Sequence, residues 1–305
     1  MLGQGIMVIE RIGVVGAGQM GGGIAVVGAQ AGLRVFLHDA SEAALDGALE
    51  AILRLVRRLE ARQKLTPEAG EQIRTGIVRA PRLEALEAAD FVIEAASEIE
   101  SVKVALFARL NEICRPEVVL ASNTSSISIT RLGTASGRPE RVIGMHFMNP
   151  PAVMKLVEIV RGLVTSEETY RTVRELAQRL GKTTMLAEDS PGFIVNRVLL
   201  PMINEAVYAV FEGVGRVEDV DTAMKLGTNQ PMGPLELADL IGLDTCLAIM
   251  EVMHRVLGDD KYRPCPLLKK YVDAGYLGRK SGRGFYAYRN GELVSSERSE
   301  HRPWA

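Results

Sequence analysis

An uncharged, glycine-rich stretch near the amino terminus most narrowly limits what this chain can fold into. Residues 12–33 contain no charged side chain, yet eight of these 22 residues are glycine. So many glycines disfavour a membrane-spanning helix and favour a strand, a tight turn and a helix in succession. Residues 11–16 form the apolar strand pattern that leads into the turn. The stretch therefore predicts the first strand–helix unit of an α/β fold.

The turn carries three glycines in the spacing G-x-G-x-x-G, at Gly16, Gly18 and Gly21. Gly16 permits the tight turn, Gly18 lets a pyrophosphate approach the backbone, and Gly21 lets the helix pack closely on the strand. The helix amino terminus then stabilises the ligand's negative charge. Residues 16–21, here called the glycine turn, include Gln19 and Met20 and form the candidate cofactor-binding segment.

A carboxylate follows the second predicted strand at the spacing expected of a dinucleotide site. Residues 33–38 form a strand pattern that ends at Asp39, 23 residues after Gly16. In such sites the acid that binds the adenosine ribose lies roughly 20 residues along the chain. Asp39 would repel the 2′-phosphate of NADP, so the sequence favours NAD. The alternative is that Asp39 only caps the helix that begins near Ser41.

Two further segments could bind a ligand or serve the fold alone. A long helix predicted over residues 42–65 carries the cations Arg54, Arg57, Arg58, Arg62 and Lys64. They form either a solvated face or a landing site for a phosphate-bearing substrate. Residues 123–126, the polar loop of sequence NTSS, follow a predicted strand at the sheet edge where ligands bind. Their hydroxyls could instead cap the next helix, which spacing alone slightly favours.

One of only four histidines, His146, lies in a strand pattern over residues 141–148. The prolines that follow cannot continue a β-ladder, and a second extended pattern over residues 155–160 contains Glu158. A turn at the prolines would bring Glu158 within hydrogen-bond reach of His146. An imidazole oriented by a carboxylate can remove a proton from an alcohol near neutral pH. An ordinary polar contact between neighbouring strands is the alternative.

Near residue 188 the pattern changes from alternating strands and helices to helices almost throughout. We expect a Rossmann-type domain over residues 1–188, a smaller all-helical domain over residues 189–290 and a polar, loosely ordered tail over residues 291–305. The predicted helices of the second domain span residues 193–212, 217–226, 235–257 and 266–274. Asn196 lies one turn into the first of them, where spacing alone favours a solvent-facing amide.

Composition restricts the class of protein. A net charge of −2 over 305 residues gives no support for binding nucleic acid. Three scattered cysteines are too few for a disulfide framework or a metal box, which fits a reducing compartment. The first residues lack an export-signal pattern, so a cytoplasmic location is expected. We expect no metal site and no membrane partner.

These motifs together resemble the 3-hydroxyacyl-CoA dehydrogenase family, and are most similar to its bacterial 3-hydroxybutyryl-CoA-specific members. The resemblance runs from about Arg11 to Tyr288 and includes residues 190–197, 223–237 and 278–286. It implies an NAD-dependent oxidoreductase that interconverts a short-chain (S)-3-hydroxyacyl-CoA, such as 3-hydroxybutyryl-CoA, and the corresponding 3-ketoacyl-CoA. Such a step belongs to fatty-acid breakdown (β-oxidation), butyrate metabolism or aromatic-acid degradation.

The resemblance also implies roles for individual residues. His146 would be the general acid/base and Glu158 its orienting partner, while Ser125 would hydrogen-bond the substrate's reacting oxygen. Asn196 would contribute from the helical domain. Further family positions near the cofactor are Asp39, Glu98, Lys103, Ser125 and Lys280.

Relatives often have lysines where this chain has Arg54 and Arg58, so these arginines are candidates for binding the CoA phosphates. A homodimer joined through the helical domain is also implied. Two other functions remain open: a dehydrogenase of a free hydroxy or sugar acid such as L-gulonate, and a non-catalytic NAD-binding protein.

Overall fold

In the computed structural model, which describes residues 8–295, the chain divides into two compact units after Phe193. The strands of the first unit are β1 (Arg11–Val15), β2 (Arg34–His38), β3 (Ile77–Arg79), β4 (Phe91–Glu94), β5 (Val119–Ser122), β6 (Val142–Phe147), β7 (Leu156–Arg161) and β8 (Thr183–Glu188). They form one sheet in the order β3-β2-β1-β4-β5-β6-β7-β8. Only the β6–β7 pair is antiparallel. The order through β6 is that of a Rossmann-type sheet, so the predicted fold class is confirmed.

Six helices belong to the first unit: α1 (Gln19–Gln30), α2 (Glu42–Ala61), α3 (Pro67–Gly76), α4 (Glu100–Ile113), α5 (Ile129–Ser136) and α6 (Glu167–Arg179). Four of them begin after a hydroxyl that accepts a hydrogen bond from a first-turn N–H group, at Ser41, Thr66, Ser128 and Ser166. In the described part of the chain, no helix combines the length and apolar character needed to cross a membrane.

The central strands are apolar because both faces of the sheet are covered. Ile12, Val14 and Ile93 pack in one buried cluster, whereas Val15 and Val92 pack in another. This alternation places successive side chains of a strand on opposite faces of the sheet. Burial of each such side chain stabilises the fold by about 1.5–3 kcal/mol, so the sheet forms a rigid support for its edge.

The second unit contains α7 (Val195–Phe211), α8 (Val217–Gly227), α9 (Pro234–Ile241), α10 (Leu243–Leu257) and α11 (Pro266–Asp273). The single helix predicted over residues 235–257 is wrong, because Gly242 interrupts it with a φ of +104° that favours glycine. The chain also forms an antiparallel hairpin of β9 (Ala287–Arg289) and β10 (Glu292–Ser295) that the sequence analysis does not predict. The rest of the predicted polar tail, residues 296–305, lies outside the described residues.

Candidate active site

The parallel strands β1, β4, β5 and β6 end side by side, and their carboxyl ends form one edge of the sheet. This carboxyl edge is the candidate active site. The backbone register pairs Val15 with Glu94, and Glu94 with Ser122. Ser122 in turn pairs with Gly144, two residues before His146. The glycine turn, the polar loop and His146 therefore all lie at or just beyond this edge. Three strand spacings of about 4.8 Å separate β1 from β6 by about 14 Å.

The three glycines of the glycine turn meet different surroundings. Gly16 has a φ of +100°, and a Cβ atom there would lie 2.4 Å from the carbonyl oxygen of Ala95. A Cβ atom on Gly21 would lie 1.7 Å from the carbonyl oxygen of Gly16. A Cβ atom on Gly18, in contrast, would have no heavy atom within 4 Å. Folding thus requires Gly16 and Gly21, whereas Gly18 leaves space open above the turn.

That open space suits a pyrophosphate. Helix α1 begins after Gly18 with no side-chain cap and no acidic residue in its first turn. Its first N–H groups therefore point towards the space without a side-chain acceptor, which is the arrangement that binds phosphates. Gln19 is exposed and Met20 is half-buried at the start of the helix. The glycine turn therefore has the shape and the free N–H groups that a pyrophosphate requires.

Asp39 joins the end of β2 to the glycine turn. Its Oδ2 atom accepts a hydrogen bond from the Ala17 N–H group at 2.8 Å, and its Oδ1 atom accepts one from Ser41 at 2.9 Å. The cap of α2 is Ser41, whose hydroxyl accepts from Ala44. The alternative in which Asp39 is the helix cap is therefore wrong. Each carboxylate oxygen has a second lone pair that can accept from a ribose hydroxyl.

His146 and Glu158 are directly opposite each other on β6 and β7. The His146 Nδ1 atom lies 2.8 Å from the Glu158 Oε2 atom, and the two side chains are 10% and 0% exposed. The predicted hydrogen-bond reach is confirmed. Because Nδ1 meets the carboxylate, Nε2 is the ring nitrogen left to exchange a proton with a substrate. The Asn123 side chain accepts a hydrogen bond from the Phe147 N–H group at 2.9 Å, which ties the polar loop to this strand.

Glu98 holds the polar loop in place. Its Oε1 atom accepts hydrogen bonds from the Thr124 hydroxyl at 2.6 Å and from the Ser125 N–H group at 2.9 Å. The hydroxyls of Ser125 and Ser126 each donate to the same atom at 3.2 Å. Burial acts to raise the pKa of Glu98, but the positive charge of Lys103 and these hydrogen bonds outweigh it, so the pKa is lowered. The carboxylate therefore stays ionised and fixes the backbone of Ser125.

The hydroxyls of the polar loop do not cap the next helix. Ser128 caps α5 by accepting a hydrogen bond from the Arg131 N–H group at 3.2 Å. Asp189, far along the chain, accepts from the N–H groups of Ile129 at 3.0 Å and Thr130 at 2.8 Å. The capping interpretation of the polar loop is therefore wrong, and the hydroxyls of Thr124, Ser125 and Ser126 bond to Glu98 instead.

A buried ion pair supports the polar loop and includes a residue that the sequence analysis did not assign. The Lys103 Nζ atom lies 2.5 Å from Glu94 Oε1 and 3.4 Å from Glu98 Oε2, and its side chain is 1% exposed. Glu94 is fully buried and also accepts hydrogen bonds from the Ser122 hydroxyl at 2.6 Å and the Ala96 N–H group at 2.7 Å. A glutamate at the end of an apolar strand is the signal that could have revealed this pair, since buried carboxylates require partners.

The two arginines predicted to bind CoA phosphates lie on α2. Arg54 is exposed and forms a salt bridge with Glu50 at 3.2 Å, whereas Arg58 is exposed one turn further along. A solvated face and a phosphate contact are both compatible with this placement.

The remaining predicted site residues belong to the second unit. Asn196 is half-buried at the second position of α7. Lys280 donates a hydrogen bond to Asp244 at 2.7 Å beside Gly242, where α9 and α10 meet.

Comparison with known proteins identifies the family. Residues 11–190 match the NAD binding domain of 3-hydroxyacyl-CoA dehydrogenase, and residues 192–288 match its C-terminal domain. The chain is 54% identical over 287 residues to a 3-hydroxybutyryl-CoA dehydrogenase of Bradyrhizobium diazoefficiens, which covers 94% of this chain and 98% of that protein. It is 55% identical over 282 residues to a probable 3-hydroxybutyryl-CoA dehydrogenase of Bacillus subtilis, with 92% and 98% covered.

A solved structure agrees with these similarities. The (S)-3-hydroxybutyryl-CoA dehydrogenase of Ralstonia eutropha superposes with a TM-score of 0.89 at 47% identity, covering 93% of this chain and all of that one. Both family domains are matched in order, and the similarity extends over nearly the whole chain. The chain therefore belongs to the 3-hydroxyacyl-CoA dehydrogenase family, and its first unit carries the NAD-binding domain of that family.

Proposed function

We propose that this protein interconverts (S)-3-hydroxybutyryl-CoA and acetoacetyl-CoA with NAD as the hydride carrier. The observation that carries the proposal is the His146–Glu158 pair, held at 2.8 Å on the carboxyl edge of the NAD-binding sheet. The substrate class follows from relatives of more than 50% identity that are named for 3-hydroxybutyryl-CoA. A short acyl chain is therefore the substrate to test first.

Oxidation of the alcohol removes a proton from the C3 hydroxyl while a hydride leaves C3. When bound, NAD accepts this hydride. The His146 Nε2 atom takes the proton, and Glu158 stabilises the imidazolium that forms. Ser125 and Asn196 donate hydrogen bonds to the substrate oxygen as its negative charge develops. In the reverse reaction His146 returns the proton to the oxygen of the 3-keto group.

The cofactor is held by groups that already fix the sheet edge. N–H groups of the glycine turn, which includes Gln19 and Met20, bind the pyrophosphate. Asp39 accepts hydrogen bonds from the adenosine ribose, and its charge selects NAD over NADP. Glu98, whose charge Lys103 stabilises, would accept hydrogen bonds from the second ribose, and Lys280 is the remaining residue assigned to the cofactor. This assignment is supported by the open space at Gly18 and the ionised state of Glu98.

The substrate's CoA moiety and the assembly complete the proposal. Arg54 and Arg58 bind CoA phosphates, since guanidinium groups bind phosphate oxygens strongly. Residues 1–188 serve as the NAD-binding domain, and residues 189–290 contribute substrate contacts and a homodimer interface. The protein acts in the cytoplasm on a free acyl-CoA, without a nucleic-acid or membrane partner.

An NADH-oxidation assay over a ladder of 3-ketoacyl-CoA lengths tests the proposal. We expect the highest kcat/KM with acetoacetyl-CoA and a lower value with acetoacetyl-pantetheine, which lacks the nucleotide phosphates. L-gulonate with NAD serves as the contrasting substrate. NADH binding without acetoacetyl-CoA-dependent loss of its absorbance would indicate a non-catalytic NAD-binding protein. Oxidation of L-gulonate in place of acyl-CoA turnover would assign the protein to free hydroxy acids.

A further inference from the structure

The segment that joins the two units places an aromatic ring against His146. The ring centroids of Phe193 and His146 lie 5.6 Å apart with 63° between their planes. Phe193 is 6% exposed and belongs to a buried apolar cluster of the first unit. We propose that Phe193 is a positioning residue that holds the imidazole of His146 in the orientation required for proton transfer, an inference that rests on the proposed function.

The hydrogen bond to Glu158 leaves part of the imidazole orientation undetermined. The terminal torsion of a histidine side chain has a broad energy minimum, and a single contact at Nδ1 fixes only one ring atom. An edge-to-face contact with a second ring restricts the plane of the imidazole and is itself favourable. Phe193 and Glu158 together therefore determine where the Nε2 atom of His146 points.

The backbone at Phe193 indicates that its side chain is needed there. Phe193 has a φ of +47°, in the left-handed region that bulky side chains rarely adopt. The preceding Gly192 also has a positive φ, of +81°, and the Phe193 N–H group donates to the Ser190 carbonyl oxygen at 2.9 Å. Glycine would fit this conformation without strain, so a buried phenylalanine points to a role for the ring. Such strained positions occur preferentially at functional sites.

The first unit anchors the start of this segment. The Asp189 Oδ2 atom accepts hydrogen bonds from the Ser128 hydroxyl and the Thr130 N–H group, both at 2.8 Å. The Asp189 N–H group donates to the Arg161 carbonyl oxygen on β7, the strand that carries Glu158. Phe193 follows only four residues later. Contacts to α5 and β7 therefore fix the segment from which the ring reaches His146.

Steady-state kinetics of Phe193 variants test the proposal. Phe193→Leu keeps apolar volume but removes the ring, and we expect kcat for acetoacetyl-CoA reduction to fall about 10- to 100-fold, because small misplacements of catalytic groups slow reactions to this extent. KM values for NADH and acetoacetyl-CoA should change less than about threefold if the ring acts through His146 rather than by binding. Phe193→Tyr restores the ring and should recover most of the lost rate.

Phe91→Leu is the matched control. Phe91 is fully buried at the start of β4, away from the carboxyl edge, so its replacement should lower Tm while leaving kcat within about twofold. Equal kcat in wild type and Phe193→Leu would overturn the positioning role, as would a Phe193→Tyr variant as slow as Phe193→Leu. Wild-type protein without acetoacetyl-CoA activity would instead reject the proposed function.

A measurement on the wild-type protein does not depend on whether the variants fold. In NMR spectra, we expect a nuclear Overhauser effect between the ring protons of Phe193 and those of His146, because their ring centroids are 5.6 Å apart. Its absence, with other cross-peaks of the same apolar cluster present, would overturn the proposal.

Discussion

The two units of the molecule bury carboxylates beside different partners. In the first unit, buried carboxylates lie beside nitrogen groups that carry or can accept a positive charge. Asp90 lies 2.8 Å from Arg11 and 2.9 Å from Arg115, and Glu94 lies 2.5 Å from Lys103. Glu158 likewise lies 2.8 Å from a ring nitrogen of His146.

In the second unit, two buried aspartates accept hydrogen bonds from neutral donors. Asp221 accepts from two N–H groups at the start of α9 and from the Tyr286 hydroxyl at 2.9 Å. Asp239 accepts from the N–H groups of Phe285 and Tyr286, both at 2.9 Å, and from the Tyr288 hydroxyl at 3.0 Å. Within residues 8–295, neither aspartate forms a salt bridge. These contacts join α8 and α9 to the segment before β9.

The partner decides what a buried carboxylate can do. Burial raises the pKa of Asp239 to about 6, although its hydrogen bonds act to lower it. Burial also acts to raise the pKa of Asp90, but Arg11, Arg115 and two backbone N–H groups bring it below its usual value. Asp90 is therefore stabilised in its ionised form by the arginines beside it, whereas ionised Asp239 joins segments of the second unit at a cost in stability near neutral pH.

The largest effect is expected where the carboxylate's partner can exchange a proton. His146→Gln should lower kcat about 10²- to 10⁴-fold, the range typical of a lost general acid/base. NADH affinity, measured by fluorescence, should stay within about twofold, and stability should change little because the amide can still donate to Glu158. His254→Gln, at an exposed pair with Asp260, is the control. A His146→Gln variant that keeps a tenth of the wild-type rate would exclude His146 as the base.

Lys103→Met should affect stability most among changes to the first unit's ion pairs. It leaves the fully buried Glu94 without its cation, and we expect a loss of about 3–5 kcal/mol in the free energy of unfolding, measured with urea. Arg171→Met removes an exposed salt bridge to Glu167 and should cost less than about 1 kcal/mol. Adding Glu94→Gln should recover part of the loss. A Lys103→Met variant as stable as the Arg171→Met control would contradict the distinction between the units.

The Asp239→Asn variant tests whether a buried aspartate of the second unit makes stability depend on pH. Because the folded-state pKa of Asp239 is raised to about 6, its stabilising contribution is complete below about pH 4 and is lost as pH rises through 6. The free energy of unfolding of Asp239→Asn is expected to lie below that of wild type, and this deficit should shrink by about 2 kcal/mol between pH 4 and pH 7. Denaturant unfolding at several pH values measures this change.

Asp90→Asn is the matched change in the first unit. The folded-state pKa of Asp90 is lowered, so its contribution is present above about pH 4 and is lost only as pH falls below that value. The difference in the free energy of unfolding between wild type and Asp90→Asn should stay constant from pH 4.5 to pH 7. Identical pH dependence for the Asp90 and Asp239 variants would remove the contrast between the units.

Asp39 sharpens the comparison because it lies in the first unit but accepts from neutral N–H groups. If it binds ribose hydroxyls, Asp39→Ala should lower the NAD-over-NADP ratio of kcat/KM about tenfold, through the lost hydrogen bonds and repulsion of the 2′-phosphate. Asp46→Ala, at an exposed carboxylate paired with Arg79, is the control. An unchanged ratio in Asp39→Ala would leave Asp39 with a structural role only.

Local patterns predicted the glycine turn and the His146–Glu158 hairpin correctly. In the hairpin, two alternating strands and a turn of prolines fix the register, and a shift of one residue would turn every side chain to the opposite face. The spacing of Gly16 and Asp39 similarly predicted the approach of two neighbouring strands. These contacts join elements that lie close together along the chain, so one continuous stretch of sequence contains the information.

Contacts between distant segments could not be predicted in this way. Asp189 accepts a hydrogen bond from the first residue of a helix that begins 60 residues earlier, and Ser122 donates to Glu94 on the neighbouring strand. Neither contact leaves a periodic pattern, because each depends on how the whole sheet assembles. The break at Gly242 was missed for another reason: apolar spacing continues through it, and only its positive φ separates α9 from α10.

A double-mutant cycle on His146 and Glu158 tests the central claim most directly. The kcat for acetoacetyl-CoA reduction is measured for wild type, His146→Gln, Glu158→Gln and the double variant. If Glu158 acts only through the imidazole, the double variant should be as slow as His146→Gln alone, within about threefold. Losses that multiply in the double variant would show that the two residues act independently, and would contradict the paired proton carrier on which the proposed mechanism rests.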